Sequence, residues 1–266
     1  MTALKLIQVD AFADRPFSGN PAAVMPLDAW LPDETLQAIA NENNLSETAF
    51  AIPDKSGAAD YELRWFTPTV EVALCGHATL ASGHVLIERD EIRFRTRKAG
   101  VLTVSREGDA LTLDLPPILV EPARNETLLA ALGTPDAGYF LSYAGVEDTA
   151  IVLLEDAAAV RACAPDFGAL AKIDVMAIVT ARAEPDADHE IVSRVFVSAW
   201  GIDEDPVTGS AHAALVPFWN DQLECGDTIR FFQASRRGGH LSGRMAGERV
   251  VLGGRCVTVI EGIMRI

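Results

Sequence analysis

Two stretches constrain this chain more than any others: Thr67–His84, TPTVEVALCGHATLASGH, and Asp203–Leu215, DEDPVTGSAHAAL. In each, a polar loop carrying acids and a proline gives way to a small residue, a glycine and a helix of small apolar residues. The first turn of a helix leaves backbone N–H groups unpaired at the positive end of its dipole. A glycine there lets an anion approach those groups without a Cβ in the way. Cys75-Gly76-His77 aligns with Thr208-Gly209-Ser210, 133 positions further on (75 to 208) and half of the 266 residues. The offset predicts an internal duplication whose two copies face each other.

A glycine that opens a helix is commonplace, so the flanking elements matter. Leu4–Phe12 alternates as a strand, the turn-rich Asp14–Pro21 follows, and Ala22–Met25 gives a second strand. Pro32-Asp33-Glu34 opens a helix with Leu36, Ile39 and Ala40 on one face. Leu45–Phe50 and Tyr61–Phe66 read as strands ahead of the first glycine-led helix. Behind it, Ile92–Arg97, Val101–Ser105 and Ala110–Leu113 are separated by turns, as in an antiparallel meander. The second glycine-led helix is followed in the same way by Ile229–Gln233, His240–Met245, Val250–Leu252 and Cys256–Ile260. Helix followed by meander, twice, strengthens the duplication. The paired prolines of Leu115-Pro116-Pro117-Ile118 mark the linker, since proline continues neither a helix nor a central strand. Two halves are therefore expected, residues 1–117 and 118–256, with 257–266 returning to the first.

The formal charge of −16 excludes nucleic acid and anionic membrane surfaces as partners, because both would be repelled over most of the surface. An anionic substrate must then be held by local features. No run reaches the roughly 18 apolar residues of a membrane span, and the N-terminus lacks a signal-peptide pattern, so the expected location is cytoplasmic. Cys75, Cys163, Cys225 and Cys256 form no C-x-x-C pair, and free thiols are expected.

Glu47 stands at a helix-to-strand crossing between apolar neighbours, where desolvation raises a carboxyl pKa and suits a general base; the alternative is a surface or capping glutamate. His77 falls in the first turn of a helix, whose dipole favours the neutral imidazole. His77 and His84 share a helical face, but nothing nearby completes a metal set, and no metal is expected. Asp205 precedes the second helix start, placed to orient a histidine or a substrate ammonium, or simply to cap. Cys75 gains acidity from a helix start, yet Thr208 occupies the matching place, so a structural or pocket-lining thiol is preferred to a nucleophile. Nucleophile-elbow, phosphate-loop and dinucleotide-binding patterns are missing, and the sequence calls for no cofactor.

Gln8–Phe12 with Gly19–Val24, Asn44-Leu45-Ser46-Glu47-Thr48, Cys75-Gly76-His77-Ala78-Thr79 and Asp205–Ala211 together resemble the PhzF (phenazine biosynthesis-like) isomerase family. The resemblance implies the diaminopimelate epimerase-like fold, of class α+β: two pseudo-symmetric halves, each a curled, barrel-like antiparallel sheet around a central helix, with the site in the cleft between. It implies cofactor-free isomerisation, with the family's glutamate on Glu47, histidine on His77, aspartate on Asp205 and serine on Ser210, and a homodimer. The related epimerases use one cysteine at each helix start, which Thr208 breaks here.

On this reading Glu47 moves a proton within a small carboxylate substrate, and His77 and Asp205 polarise the substrate or relay the proton. The carboxylate would rest on N–H groups near Gly76 and Gly209, with Ser210 and Asn20 adding hydrogen bonds. An epimerase using Glu47 with Asp205 or Cys75, and a binding protein without turnover, are the other readings.

Overall fold

The computed structural model describes residues 1–143, 148–223 and 228–266, and Cys225 lies outside them. In chain order the elements are β1 (Ala3–Ala11), β2 (Asn20–Pro26), α1 (Asp33–Asn43), β3 (Glu47–Pro53), β4 (Tyr61–Phe66), β5 (Glu71–Val72), α2 (Gly76–Leu86), β6 (Glu91–Thr96), β7 (Val101–Glu107) and β8 (Ala110–Leu115). There follow β9 (Val120–Pro122), α3 (Glu126–Leu132), β10 (Gly138–Ser142), β11 (Thr149–Leu153), α4 (Ala157–Ala162), α5 (Phe167–Leu170), β12 (Met176–Arg182) and β13 (Ile191–Val197). The chain closes with β14 (Ile202–Asp205), α6 (Gly209–Asn220), β15 (Ile229–Gln233), β16 (Gly239–Ala246), β17 (Arg249–Gly254) and β18 (Cys256–Arg265). Two compact units emerge: Met1–Asp114 with Gly253–Ile266, and Leu115–Leu252.

In the first unit, β18 pairs antiparallel with β1, which pairs antiparallel with β2. The pairing β2–β3 is parallel, β3–β4 and β4–β5 are antiparallel, β4–β6 is parallel, and β6–β7 is antiparallel. The second unit repeats this series by itself. There β9–β10 and β10–β11 are antiparallel, β11–β12 is parallel, β12–β13 and β13–β14 are antiparallel, β13–β15 is parallel, and β15–β16 is antiparallel. The sheets are thus mixed, where the sequence reading expects them antiparallel. The reason is that a parallel neighbour needs a crossover, and α1 and α2 in one unit, α4 with α5 and then α6 in the other, provide it.

The central helix of the first unit is α2. Its residues Gly76–Gly83 are all buried, as a helix without a polar face must be, and it touches β1, β2, β3, β7 and β18. Small side chains make this wrapping possible. A Cβ built on Gly83 would lie 2.5 Å from Val104 Cγ1 on β7. In the second unit α6 packs against β16, where a Cβ on Gly243 would lie 2.2 Å from Val216 Cγ2. Gly83→Val should therefore overpack the first unit and lower its stability by about 1–3 kcal/mol. Urea unfolding measures this directly, and an unchanged midpoint would mean that α2 and β7 separate freely.

The helix α1 leads the chain to Glu47. Leu36, Ile39 and Ala40 are its buried face, and Asn44, in the left-handed region at φ 47°, ends it. The chain then enters β3 at Glu47. Among the described residues, no helix is long and apolar enough to cross a membrane, and Cys75, Cys163 and Cys256 are free thiols.

Candidate active site

In the first unit three elements converge through their first residues. Asn20 opens β2, Glu47 opens β3, and His77 is the second residue of α2. Asn20 reaches its place because the chain turns at Gly19 (φ +66°), where a Cβ would meet the Ala11 carbonyl oxygen at 2.1 Å, so only glycine fits. The parallel register of β2 and β3 pairs Ala22 with Glu47, which brings the Glu47 end of β3 alongside the start of β2.

His77 Nε2 lies 2.9 Å from Glu47 Oε2, and both side chains are largely buried, at 6 % and 15 % exposure. The approach is in ion-pair range, yet neither buried atom has a hydrogen-bond partner, so both retain bonding capacity. Native proteins rarely leave such atoms unsatisfied without a use for them. On the other side of the ring, Nδ1 lies 3.3 Å from the Asn20 amide nitrogen and 3.5 Å from Cys75 Sγ. The Ser46 hydroxyl donates to Asn20 Oδ1 at 3.0 Å, which turns the Asn20 NH2 toward His77. With that amide donating to Nδ1, the neutral ring carries its proton on Nε2, facing Glu47.

Burial opposes a charge on His77, but the neighbouring Cys75 sulfur and Glu47 carboxylate outweigh it, and the pKa is raised well above 6.5. Cys75 itself is pushed up to about 11, by burial first and the Glu47 charge second, so it is a thiol at neutral pH. Glu47 is then the charge that favours the imidazolium. That direction runs against the neutral His77 expected from the helix dipole. The Asn20 amide suits the neutral ring and Glu47 the charged one, and the two forms differ by a single proton, as a relay requires. Nitrogen NMR of the ring should find His77 protonated at about pH 7, and in Glu47→Gln its pKa should fall, because burial would then act with less opposition. An unchanged titration would remove Glu47 as the cause.

The remaining features of this unit have other uses. His84 Nε2 is taken up by Thr258 Oγ1 at 3.0 Å, so it is not paired with His77. Glu47, Cys75 and His77 each bring a potential ligand atom within 4.8 Å of the others, but with Cys75 protonated and Nδ1 facing the Asn20 amide the trio suits proton transfer as it stands.

The second unit holds Asp205, Gly209 and Ser210. Asp205 is the last residue of strand β14, opposite Val195, where the sequence reading has a loop. The strand is tenable despite its acids because Arg194 clamps Glu204 at 2.7 and 3.0 Å. Asp205 Oδ2 accepts the Thr208 hydroxyl at 2.5 Å. Gly209 opens α6 after Thr208, and Ser210 Oγ lies 3.8 Å from Met176 sulfur. The residue that organises this corner is Gln233, at the end of β15, which the sequence reading misses. Fully buried, it accepts the Thr208 N–H at 2.9 Å and donates to the Asp205 carbonyl at 2.8 Å and to Thr208 Oγ1 at 3.2 Å. Its only signal in the sequence is a polar residue closing an apolar strand.

The family model described as phenazine biosynthesis-like protein matches residues 9–262. An uncharacterised isomerase of Pseudomonas aeruginosa is 48 % identical over 99 % of both chains. The crystal structure of a phenazine biosynthesis protein of the PhzF family from Enterococcus faecalis superposes with a TM-score of 0.90 at 39 % identity, covering 100 % of each chain. A hydroxyproline epimerase from Agrobacterium vitis, with trans-4-hydroxy-L-proline bound, shares the fold at a TM-score of 0.61 and 14 % identity, over 98 % of this chain and 92 % of that one.

Proposed function

This chain belongs to the phenazine biosynthesis-like protein family, and on that premise we propose that it is a cofactor-independent isomerase that moves a proton within a small carboxylate substrate. The observation that carries the proposal is the buried pair of Glu47 Oε2 and His77 Nε2, 2.9 Å apart and imperfectly bonded to each other. Glu47 takes a proton from a carbon of the substrate's allylic system, the electron pair delocalises toward the carboxylate, and the proton returns at another carbon of that system. His77 offsets the negative charge that develops, and Asn20, held by Ser46, fixes the ring. The N-cap Cys75 makes no side-chain cap bond, and the first turn of α2 carries no acid, so the N–H groups at Gly76-His77 are suited to the substrate carboxylate. Asp205, Gly209 and Ser210 are the matching set of the second unit, proposed to supply a second acid–base group and further carboxylate contacts.

Epimerisation needs two acid–base groups acting on one carbon, and the pKa of Cys75, raised to about 11, weakens the form of that reading that relies on a thiolate. That reading would then rest on Asp205, whose Oδ2 accepts the Thr208 hydroxyl. The test is to incubate wild-type and Glu47→Gln protein with a metabolite extract in D2O and to search by mass spectrometry for small carboxylates that gain deuterium. Label with wild type alone supports the proposal, and inversion at a stereocentre in the labelled compound would point to epimerisation instead. Label with both proteins would move the base away from Glu47. No label with either, both being folded, would favour a binding protein.

A further inference from the structure

The two units repeat the same junction of strands and helix with different side chains. In the first unit β4 pairs with β5 through Trp65 and Val72 and with β6 through Leu63 and Thr96, and Cys75 precedes α2. In the second, β13 pairs with β14 through Val195 and Asp205 and with β15 through Ser193 and Gln233, and Thr208 precedes α6. Asp205, Thr208 and Gln233 thus occupy the places of Val72, Cys75 and Thr96. The exchange also runs the other way. Met176 opens β12 beside β11 as Glu47 opens β3 beside β2, and Ser210 is the second residue of α6 as His77 is of α2. Where the first unit sets Glu47 against His77, the second sets Met176 against Ser210, sulfur to hydroxyl at 3.8 Å. The second unit therefore carries no carboxylate at the place of Glu47, and its acid stands instead at Asp205.

Gln233 fixes how that acid is presented. The backbone decides the orientation of its amide, because the Thr208 N–H can only donate and the Asp205 carbonyl can only accept. Oε1 takes the Thr208 N–H at 2.9 Å, so Nε2 donates to the Asp205 carbonyl at 2.8 Å and to Thr208 Oγ1 at 3.2 Å. With a proton already arriving from Nε2, the Thr208 hydroxyl turns its own toward Asp205 Oδ2, at 2.5 Å. The chain runs one way, from amide to hydroxyl to carboxylate. Gln233 and Thr208 are both buried, where such bonds are stronger than in water. Thr96, in the matching place of the first unit, spends its hydroxyl on its own turn, on the Gly100 carbonyl and the Ala99 N–H, both at 2.9 Å. The first unit builds the same junction with Val72, Cys75 and Thr96, so the fold itself does not require the chain.

We propose, on the isomerase reading, that Gln233 is a positioning residue for the proton transfer: through Thr208 it holds the Asp205 carboxylate in the orientation from which it acts on the substrate. The same geometry assigns the Thr208 hydroxyl. Engaged by Gln233 and Asp205 together, it orients the carboxylate and takes no proton from the substrate. A misplacement of about 1 Å at a reacting group can cost 10²-fold in rate, so loss of this hold is read in turnover rather than in substrate binding.

The experiment compares wild type with Gln233→Leu, Thr208→Val, Thr208→Ser, Asp205→Asn and the double variant Gln233→Leu with Asp205→Asn, each first shown to be folded by urea unfolding. The probe is the small carboxylate that gains deuterium from a metabolite extract in D2O with wild type. Gln233→Leu and Thr208→Val should each lower kcat by about 10–10²-fold with KM within about threefold, and Thr208→Ser should recover most of the loss. The double variant should turn over within about twofold of Asp205→Asn alone, as for residues that act as a unit. Without any substrate, exchange of the Thr208 amide proton should quicken about tenfold in Gln233→Leu, which removes its acceptor, and hold in Thr208→Val, which keeps it. Should Gln233→Leu fail to fold, Thr208→Val combined with Asp205→Asn makes the same comparison, because valine keeps the shape of threonine and the backbone bond to Gln233. Full turnover in Thr208→Val, equal losses from Gln233→Leu with and without Asp205→Asn, or unchanged amide exchange in Gln233→Leu would each overturn the role of Gln233 alone. No labelled carboxylate with wild type would overturn the isomerase reading, and that role with it.

Discussion

Glu47→Gln is expected to lower turnover by about 10²–10⁴-fold, the usual contribution of one positioned general base. Glutamine keeps the length and shape of the side chain and can still bond to His77, but its amide cannot take a proton from carbon. The substitution also removes the charge beside His77, so the ring loses the partner that holds it protonated against burial. Base and relay therefore fail together, and the double variant with His77→Gln should be little worse than the single one, as for residues that act as a unit. Folding should survive, because Glu47 opens β3 rather than filling its apolar interior, which is carried by Ala49, Phe50 and Ala51. The deuterium-exchange rate on the labelled substrate, compared at equal thermal midpoint, measures the effect. A loss smaller than about tenfold would place the base elsewhere, with Asp205 the next residue to test.

The elements that local chemistry controls are legible in the sequence. Gly76 and Gly209 open α2 and α6 as the small-residue pattern indicates, and Pro32 with the acids behind it opens α1. The C-terminal strand pairs with β1, as the expected return of residues 257–266 to the first half requires. What local pattern cannot carry is pairing between distant positions. The bond from Asn20 to His77 joins residues 57 apart, and the Gln233 contacts reach back 25 and 28 positions. The pull of Glu47 on the His77 proton is hidden for the same reason. A helix start supplies about half a charge spread over several N–H groups, whereas Glu47 brings a full charge to 2.9 Å in a buried setting. Strand β14 is hidden by its own acids, since Asp203-Glu204-Asp205 reads as solvated loop until Arg194 is seen against Glu204.

The second unit should lose stability in mild acid through one residue, His212. Its ring is fully buried on α6, set edge-on to Phe231 with centroids 5.1 Å apart, and its pKa is lowered to about 4 by desolvation, partly offset by the hydrogen bond to the Thr208 carbonyl. In the unfolded chain an ordinary histidine binds its proton near pH 6.5. Between that value and about 4 the unfolded state therefore holds a proton that the folded state lacks, and stability falls as pH falls through this window. From about pH 7.5 to about pH 5 the loss amounts to roughly 2 kcal/mol at about 1.4 kcal/mol per pKa unit. His77 has the opposite sign: its raised pKa means that its contribution is complete below pH 6.5 and fades as pH rises through the folded value. The two histidines can be separated by a substitution that α2 itself suggests. His212 donates to the carbonyl four residues back at 2.7 Å, and Thr79 makes the same bond from its hydroxyl to Cys75 at 2.6 Å. His212→Thr keeps that bond and removes the titration. The variant should lose stability at neutral pH from the space it leaves, yet its urea midpoint should fall much less than that of wild type between the two pH values. Equal acid sensitivity in the two proteins would assign the proton uptake to another group.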